Sequence, residues 1–167
     1  MSVEVVSSFP HILAGVLFPG CRFTVDEILR GARASLCRGD RIVGQFSLTH
    51  LPGNRACVVL HGMWLDKGYR GRGWGNRLHS LVVPWVLALQ AVRLECTVLE
   101  SNHVQHRCLR RAGWVRGRIY FNPRNRHVFA EWGLVLNVVS VSDKTGRARI
   151  SCPVVGSVQG VVIFNPA

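Results

Sequence analysis

The most regular hydrophobic pattern in the chain is a strict alternation, in which Val92, Leu94, Cys96 and Val98 are interleaved with Arg93, Glu95 and Thr97. A period of two predicts a strand over residues 91–99 with one buried face. Apolar, β-branched runs predict further strands at residues 3–7, 34–37, 41–49 and 56–65, and a closing pair at 114–121 and 127–136. Arg38-Gly39-Asp40, Leu51-Pro52-Gly53-Asn54 and Asn122-Pro123-Arg124-Asn125-Arg126 supply turns between them. Three segments carry helical signals. In residues 24–34, Thr24 can cap, Asp26 and Glu27 fall in the first turn, and Ile28 and Leu29 are expected to face inward. Residues 76–90 contain Pro84, which is expected to kink the helix or end its regular hydrogen bonding. Residues 103–112 are stopped by Gly113. After Asn137 the chain turns rich in Val, Ser and Gly, with turn signals at Asp143-Lys144-Thr145-Gly146 and Gly156. This predicts one main unit over residues 1–137 and a β-rich extension or arm of one or two extra strands over 138–167.

Length and composition narrow the classes. A chain of 167 residues, 48% hydrophobic, suits one main core. The longest apolar run, residues 81–89, is interrupted by Pro84 and is far short of the roughly 20 residues of a membrane span. The start of the chain lacks a basic region followed by an apolar stretch, so a soluble, cytoplasmic protein with no membrane partner is expected. Cys21, Cys37, Cys57, Cys96, Cys108 and Cys152 form no Cys-x-x-Cys pair, and no histidine cluster supplies zinc spacing, so neither a disulfide framework nor a metal is expected. Cys57 and Cys96 lie in apolar strands, as small buried hydrophobes do.

The formal charge is +12, nearly all from arginine, since Lys67 and Lys144 are the only lysines. Such a field attracts nucleic acid, anionic ligands or acidic proteins. The arginines are dispersed and no stacking motif accompanies them, which equally describes a generally basic surface. Arg38-Gly39-Asp40, an adhesion signal in extracellular proteins, reads here as a turn, and so does Lys144-Thr145-Gly146, because no Ser-x-x-Lys accompanies it.

Chemistry concentrates in one loop. Arg70-Gly71-Arg72-Gly73-Trp74-Gly75 follows a strand and opens a helix. In that order, glycines let the backbone approach a phosphate, free amides at the helix start point at it, and Arg70 and Arg72 add charge. A dinucleotide fingerprint fits poorly, and Walker A fails for want of Gly-Lys-[Ser/Thr]. The longer stretch Trp64-Leu65-Asp66-Lys67-Gly68-Tyr69-Arg70-Gly71-Arg72-Gly73-Trp74-Gly75 closely resembles motif A of the GNAT N-acetyltransferase superfamily, in which an [Arg/Gln]-x-x-Gly-x-[Gly/Ala] loop follows a strand ending in a hydrophobic pair. A second signature stands in register: Asn102 is followed by Gly113-Trp114 at the spacing of the family's Asn…Gly-Phe element, with Val98 placed as in its preceding strand. The resemblance covers about residues 40 to 136.

The resemblance implies an α/β fold: a mixed, mostly antiparallel sheet flanked by helices on both faces, splayed between the strands that end near Leu65 and Leu99. It implies acetyl-CoA as acyl donor, with its pyrophosphate on the amides of Arg70, Gly71, Arg72, Gly73, Trp74 and Gly75, Asn76 opening the helix behind them, its pantetheine arm paired to the strand end at Trp64 and Leu65, and Asn102 in contact with it. It implies an amine acceptor, a small molecule or a peptide. His61 matches the second histidine of the His-x-His pair in arylalkylamine N-acetyltransferases, with Val59 in the first place, and its period-two spacing from Leu65 predicts that both face the same way. His61 reads either as the general base or as a histidine hydrogen-bonded on a sheet face. The family's tyrosine, seven residues after the motif asparagine, is replaced by Leu109; His106, Cys108 and Tyr120 are the nearby alternatives for an acid. Glu95 and Glu100 could shape the path of a cationic acceptor, although Glu95 also reads as part of a solvated face. A second function class remains open: a GNAT-fold binding or structural protein, such as a phage virion or assembly component near nucleic acid, with a homodimer or larger assembly formed through the C-terminal arm.

Overall fold

The computed structural model describes residues 17–136, 139–142, 148–151 and 161–163. The strand expected at residues 3–7 and the turns expected at Asp143-Lys144-Thr145-Gly146 and Gly156 lie outside the described residues. Seven strands form one sheet in the order β1-β2-β3-β4-β5-β7-β6: β1 Arg22–Ile28, β2 Gly31–Arg38, β3 Arg41–Leu51, β4 Asn54–Leu65, β5 Arg93–Leu99, β6 Val115–Asn122 and β7 His127–Val135. Helix α1, Trp74–Ala88, joins β4 to β5, and α2, His103–Arg111, joins β5 to β6. Among the described strand pairs only β4 and β5 are parallel. In the extension, β8 Val139–Ser142, β9 Ala148–Ser151 and β10 Val161–Ile163 form a second sheet in the order β10-β9-β8, three strands where one or two were expected.

Strand alternation behaves as its pattern predicts in β5, where Leu94, Cys96 and Val98 are buried and Arg93, Thr97 and Leu99 are exposed. The helix expected at residues 24–34 is instead the hairpin β1–β2. Phe23 pairs with Leu36 and Val25 with Ala34, so the apolar residues run at period two, and Leu29, expected to face inward, is 87% exposed at the turn. Thr24, Asp26 and Glu27 have the local chemistry of a helix start, but the burial available to paired strands outweighs it. Gly31 fixes the arrangement, because a Cβ there would stand 1.9 Å from the Leu48 carbonyl oxygen on β3. Gly31→Ala is therefore expected to force β2 off β3 and destabilise the protein by about 3 kcal/mol, read as a lowered urea midpoint.

Both helices lie on the same face, not one on each as expected. The registers Leu48↔Leu60, Val58↔Leu94 and Cys96↔Trp132 place these residues on one side of the sheet. There Trp85 of α1 meets Phe46 edge to face at 5.8 Å, and His106 of α2 meets Trp132. The reason is topological. The crossovers β4-α1-β5 and β5-α2-β6 step along the sheet in the same direction, and right-handed crossovers then put both helices on one face. With residues 24–34 in strands, no helix among the described residues covers the other face. α1 begins at Trp74, two residues earlier than expected, and runs through Pro84 to Ala88.

Candidate acyl-donor and catalytic site

The pairing of β4 with β5 covers only Cys57↔Arg93, Val58↔Leu94 and Val59↔Glu95. Beyond Val59, β4 continues to Leu65 paired, among the described residues, to β3 alone, so the expected splay is present, and no described strand pairs with the β5 side of β4 from Leu60 onward. The carboxyl ends of β4 and β5, with the starts of α1 and α2, meet at this splay. Open α/β sheets place their ligands outside such strand ends.

The loop after β4 is built by short-range bonds. The Asp66 carboxylate accepts from the Gly68 amide at 3.0 Å and from Arg41 at 2.5 Å, closing a 3₁₀ turn over Lys67–Tyr69. The Gly68 amide, then Arg41, holds the Asp66 carboxyl below its usual range. Arg70 Nε donates to the Leu65 carbonyl oxygen at 2.8 Å, tying the loop to the strand end. Gly71 and Gly73 adopt φ of 76° and 77°, where a side chain is strained, and a Cβ on either would meet nothing within 4 Å. Gly73 is the N-cap of α1; no side chain among the described residues caps the helix, and its first turn holds no acid. Its first amides and the positive end of its dipole thus face open space bordered by Arg72, which suits a phosphate-bearing ligand. Trp74 is anchored behind by Tyr69 at 4.7 Å and Phe18 at 5.0 Å. At Gly75 α1 passes close to α2, where a Cβ would make ordinary contact with Cys108 Sγ at 4.0 Å.

His61 lies on β4 with its Nε2 2.8 Å from Thr49 Oγ1, and burial pushes its pKa below the ordinary 6.5. The expectation that it faces the same way as Leu65 is overturned. Ser47 pairs with His61 and Gln45 with Trp64, so β4 spends three steps where β3 spends two, and Gly62 has φ 57°. This one-residue bulge shifts the alternation. Leu65 stays with the buried residues on the helix-bearing face, whereas His61 and the 40%-exposed Trp64 share the helix-free face.

Asn102 caps α2 by accepting from the Gln105 amide at 3.1 Å, which gives it a structural task at the splay. Leu109 is fully buried. Tyr69 receives Arg38 at its hydroxyl, and Tyr120, on β6, stacks on Phe129 at 5.9 Å. His106 accepts from Trp132 Nε1 at 3.1 Å through Nδ1 and donates from Nε2 to the Leu99 carbonyl at 3.0 Å, so both ring nitrogens are engaged in holding α2 to the sheet. Burial pushes the Cys96 thiol up to about 12, which leaves it inert.

The sequence pattern did not single out Thr49, Gly62 or His79. An isolated glycine inside a strand run is a bulge signal, so Gly62 was findable. His79, on α1, is 2% exposed, and its Nε2 receives the Gln105 side-chain amide at 3.0 Å. Its proton therefore sits on Nδ1, which has no hydrogen-bond partner among the described residues, and neither has Asn76 Oδ1, one turn earlier. Burial pushes the His79 pKa down to about 4. The unfolded chain takes this proton near 6.5 and the folded protein near 4, so stability falls as pH drops between them, by up to about 3 kcal/mol. Urea midpoints at pH 7 and pH 4.5 read this loss, and His79→Gln is expected to make it smaller.

Among the described residues no group of three or more His, Cys, Asp or Glu could hold a metal ion, and no helix is long and apolar enough to cross a membrane. The sequence profile of the acetyltransferase (GNAT) family matches residues 19–114, from before β1 to Trp114. The chain belongs to the GNAT family. No curated protein sequence matches this GNAT chain. Its fold is similar to that of a Bacillus subtilis acetyltransferase solved with CoA (TM-score 0.58, 14% identity, 70% of this chain and 99% of that one). It is also similar to a GNAT acetyltransferase from Elizabethkingia anophelis with acetyl-CoA bound (TM-score 0.58, 13% identity, 64% and 77%). A putative streptothricin acetyltransferase from Bacillus anthracis, in complex with acetyl-CoA, gives a TM-score of 0.56 at 16% identity over 70% and 83%. At these identities the likeness is one of fold.

Proposed function

We propose that this GNAT protein is an acetyl-CoA-dependent N-acetyltransferase that acts on a primary amine by direct transfer. The observation that carries the reading is the start of α1, without a side-chain cap among the described residues and opened by Gly71 and Gly73 beside a β4 edge with which no described strand pairs. The residues fit the donor: the Arg70 amide, expected to join in, is taken by the Lys67 carbonyl oxygen at 3.2 Å, but the amides from Gly71 to Gly75 suit its pyrophosphate, the β4 edge from Gly62 to Leu65 suits the amide-bearing arm, and Asn102 borders the same splay. Relatives of the same fold solved with CoA or acetyl-CoA support this choice of donor. The donor supplies an acetyl group on a thioester: the C–S bond breaks as the amine nitrogen bonds to the acetyl carbon, and the thiolate takes a proton from solvent. His61, neutral above its lowered pKa and oriented by Thr49, accepts the proton that the amine gives up. Positioning by the loop and the β4 edge carries a large share of the rate.

The test is a screen of small amines, aminoglycoside-like amines and peptide N-termini for amine-dependent release of free thiol. Stoichiometric thiol and N-acetylated product support the reading; thiol release that is the same with and without every amine contradicts it. One observation favours the second reading, a GNAT-fold binding or assembly protein near nucleic acid. It is the fully buried Leu109 where a hydroxyl would protonate the leaving thiolate, together with the +12 charge. Copurification with nucleic acid or a large assembly, combined with donor binding but no transfer, would support it.

A further inference from the structure

The helix-free face of the sheet holds a cleft of about 730 Å³ over β5, β7 and β6. Two glycines hollow it. Gly133 stands between Glu95 on β5 and Val115 on β6, its partners in register, and Gly117 lies in the irregular part of β6, where a Cβ would come within 3.5 Å of Glu131 Cβ. With no side chain at either position the floor is backbone. Thr97 is the cross-strand partner of Glu131, so Glu95 and Glu131 are diagonal neighbours projecting from the same face around this hollow. Val59 also lines the cleft, and His61 lies two residues beyond it on that face, about 7 Å along β4. The histidine assigned above as the base thus stands on the same face as the cleft, next along β4 from its Val59 wall, without lining it.

Its electrostatics are asymmetric. Arg93 reaches Glu95 at 2.6 Å and Arg118 reaches Glu131 at 2.8 Å. In each pair the arginine is the outer partner, 58% and 76% exposed against 33% and 36% for the carboxylates. Arg116, also on the rim, is paired with Glu100. A cation entering the cleft can take over a carboxylate while the displaced arginine swings into water at little cost, because exposed ion pairs contribute only about 0–1 kcal/mol. An anion that captured the same arginines would instead lie beside Glu95 and Glu131, the more sheltered partner of each pair, and be repelled by them.

We propose that this cleft is the acceptor subsite for an amine that carries a second positive charge, with Glu95 and Glu131 holding the distal cation while the reacting nitrogen lies at His61. The proposal rests on the acetyl-transfer reading for the identity of the reacting group, but the binding of the cation does not. Val59 stands beside Glu95, so a cation on Glu95 lies about 8 Å from the His61 backbone by strand spacings, the span of a short diamine.

The test compares a five-carbon diamine with the five-carbon amino alcohol, in which a hydroxyl replaces the second ammonium. Affinity is read by calorimetry and transfer by thiol release from acetyl-CoA, in the wild type and in the double variant Glu95→Gln, Glu131→Gln. The wild type is expected to favour the diamine roughly tenfold in Kd and in kcat/KM, an advantage that shrinks with added salt. The double variant is expected to bring that ratio close to one, with circular dichroism confirming that it is folded; should it not fold, the wild-type ratio and its salt dependence decide. Equal treatment of the two amines by the wild type, no diamine binding, or a preference that survives both substitutions overturns the proposal. Diamine binding that depends on the two carboxylates without any thiol release keeps the cleft assignment and counts against the acetyl-transfer reading.

Discussion

Replacing Gly73 by aspartate is expected to weaken acetyl-CoA binding roughly 100-fold or more, the loss of one or two charge-assisted hydrogen bonds together with direct repulsion. Gly73 closes the loop at φ 77°, and a Cβ there would point into open space at the uncapped start of α1. An aspartate side chain would therefore stand where the pyrophosphate is expected, offering the helix amides a carboxylate of their own. The fold survives this change, because aspartate tolerates the left-handed region better than most residues and the strain costs about 1 kcal/mol. Gly53→Asp is the matching control. Gly53 has φ 78° and equally open surroundings in the β3–β4 turn, so it carries the same strain away from the loop. Calorimetry on the two variants separates strain from occupancy: a similar fall in melting temperature for both, with lost binding for Gly73→Asp alone.

His61→Ala is the second large effect. A general base contributes about 100- to 10,000-fold, and kcat is expected to fall within that range while acetyl-CoA affinity stays at the wild-type value. The direction of the pH dependence follows from burial. His61 must be neutral to accept a proton, and its pKa lies below 6.5, so the rate rises with pH and its acid limb is centred below 6.5. In His61→Ala the residual rate loses that limb. Thr49→Val removes the hydrogen bond to Nε2 and is expected to give a smaller loss, because it frees the ring without removing it. Unchanged kcat and an unchanged acid limb in His61→Ala would return His61 to the role of a hydrogen-bonded residue on a sheet face.

Much of the site was legible because its signals are local. Gly71 and Gly73 do adopt the left-handed conformation that glycine permits, the loop does open a helix, and Asn102 does stand at the start of the next one. The splay at Leu65 and Leu99 follows from the same family resemblance. The failures were of two physical kinds. In residues 24–34 the local chemistry points to a helix start, and the turn that reverses the chain is made by Leu29 and Arg30, with Arg30 at φ 63° where a glycine or asparagine would have announced it. On β4, a single extra residue at Gly62 inverts which residues share a face, so a count by twos from His61 to Leu65 gives the wrong partner. The correct partner is Trp64, and the face is the helix-free one that leads to Val59 and the glycine-floored cleft. Of that cleft the sequence offered only Glu95, as a residue that could shape the path of a cationic acceptor; the hollow itself is made by what Gly117 and Gly133 lack on the paired strands β6 and β7.

The central claim is that the loop from Arg70 to Gly75 and the free edge of β4 form a coenzyme A site. Calorimetric titration of the full chain with acetyl-CoA tests it most directly. The account predicts one saturable site, at micromolar concentration, that is lost in Gly73→Asp and kept in Gly53→Asp; the absence of any binding heat up to millimolar acetyl-CoA contradicts it.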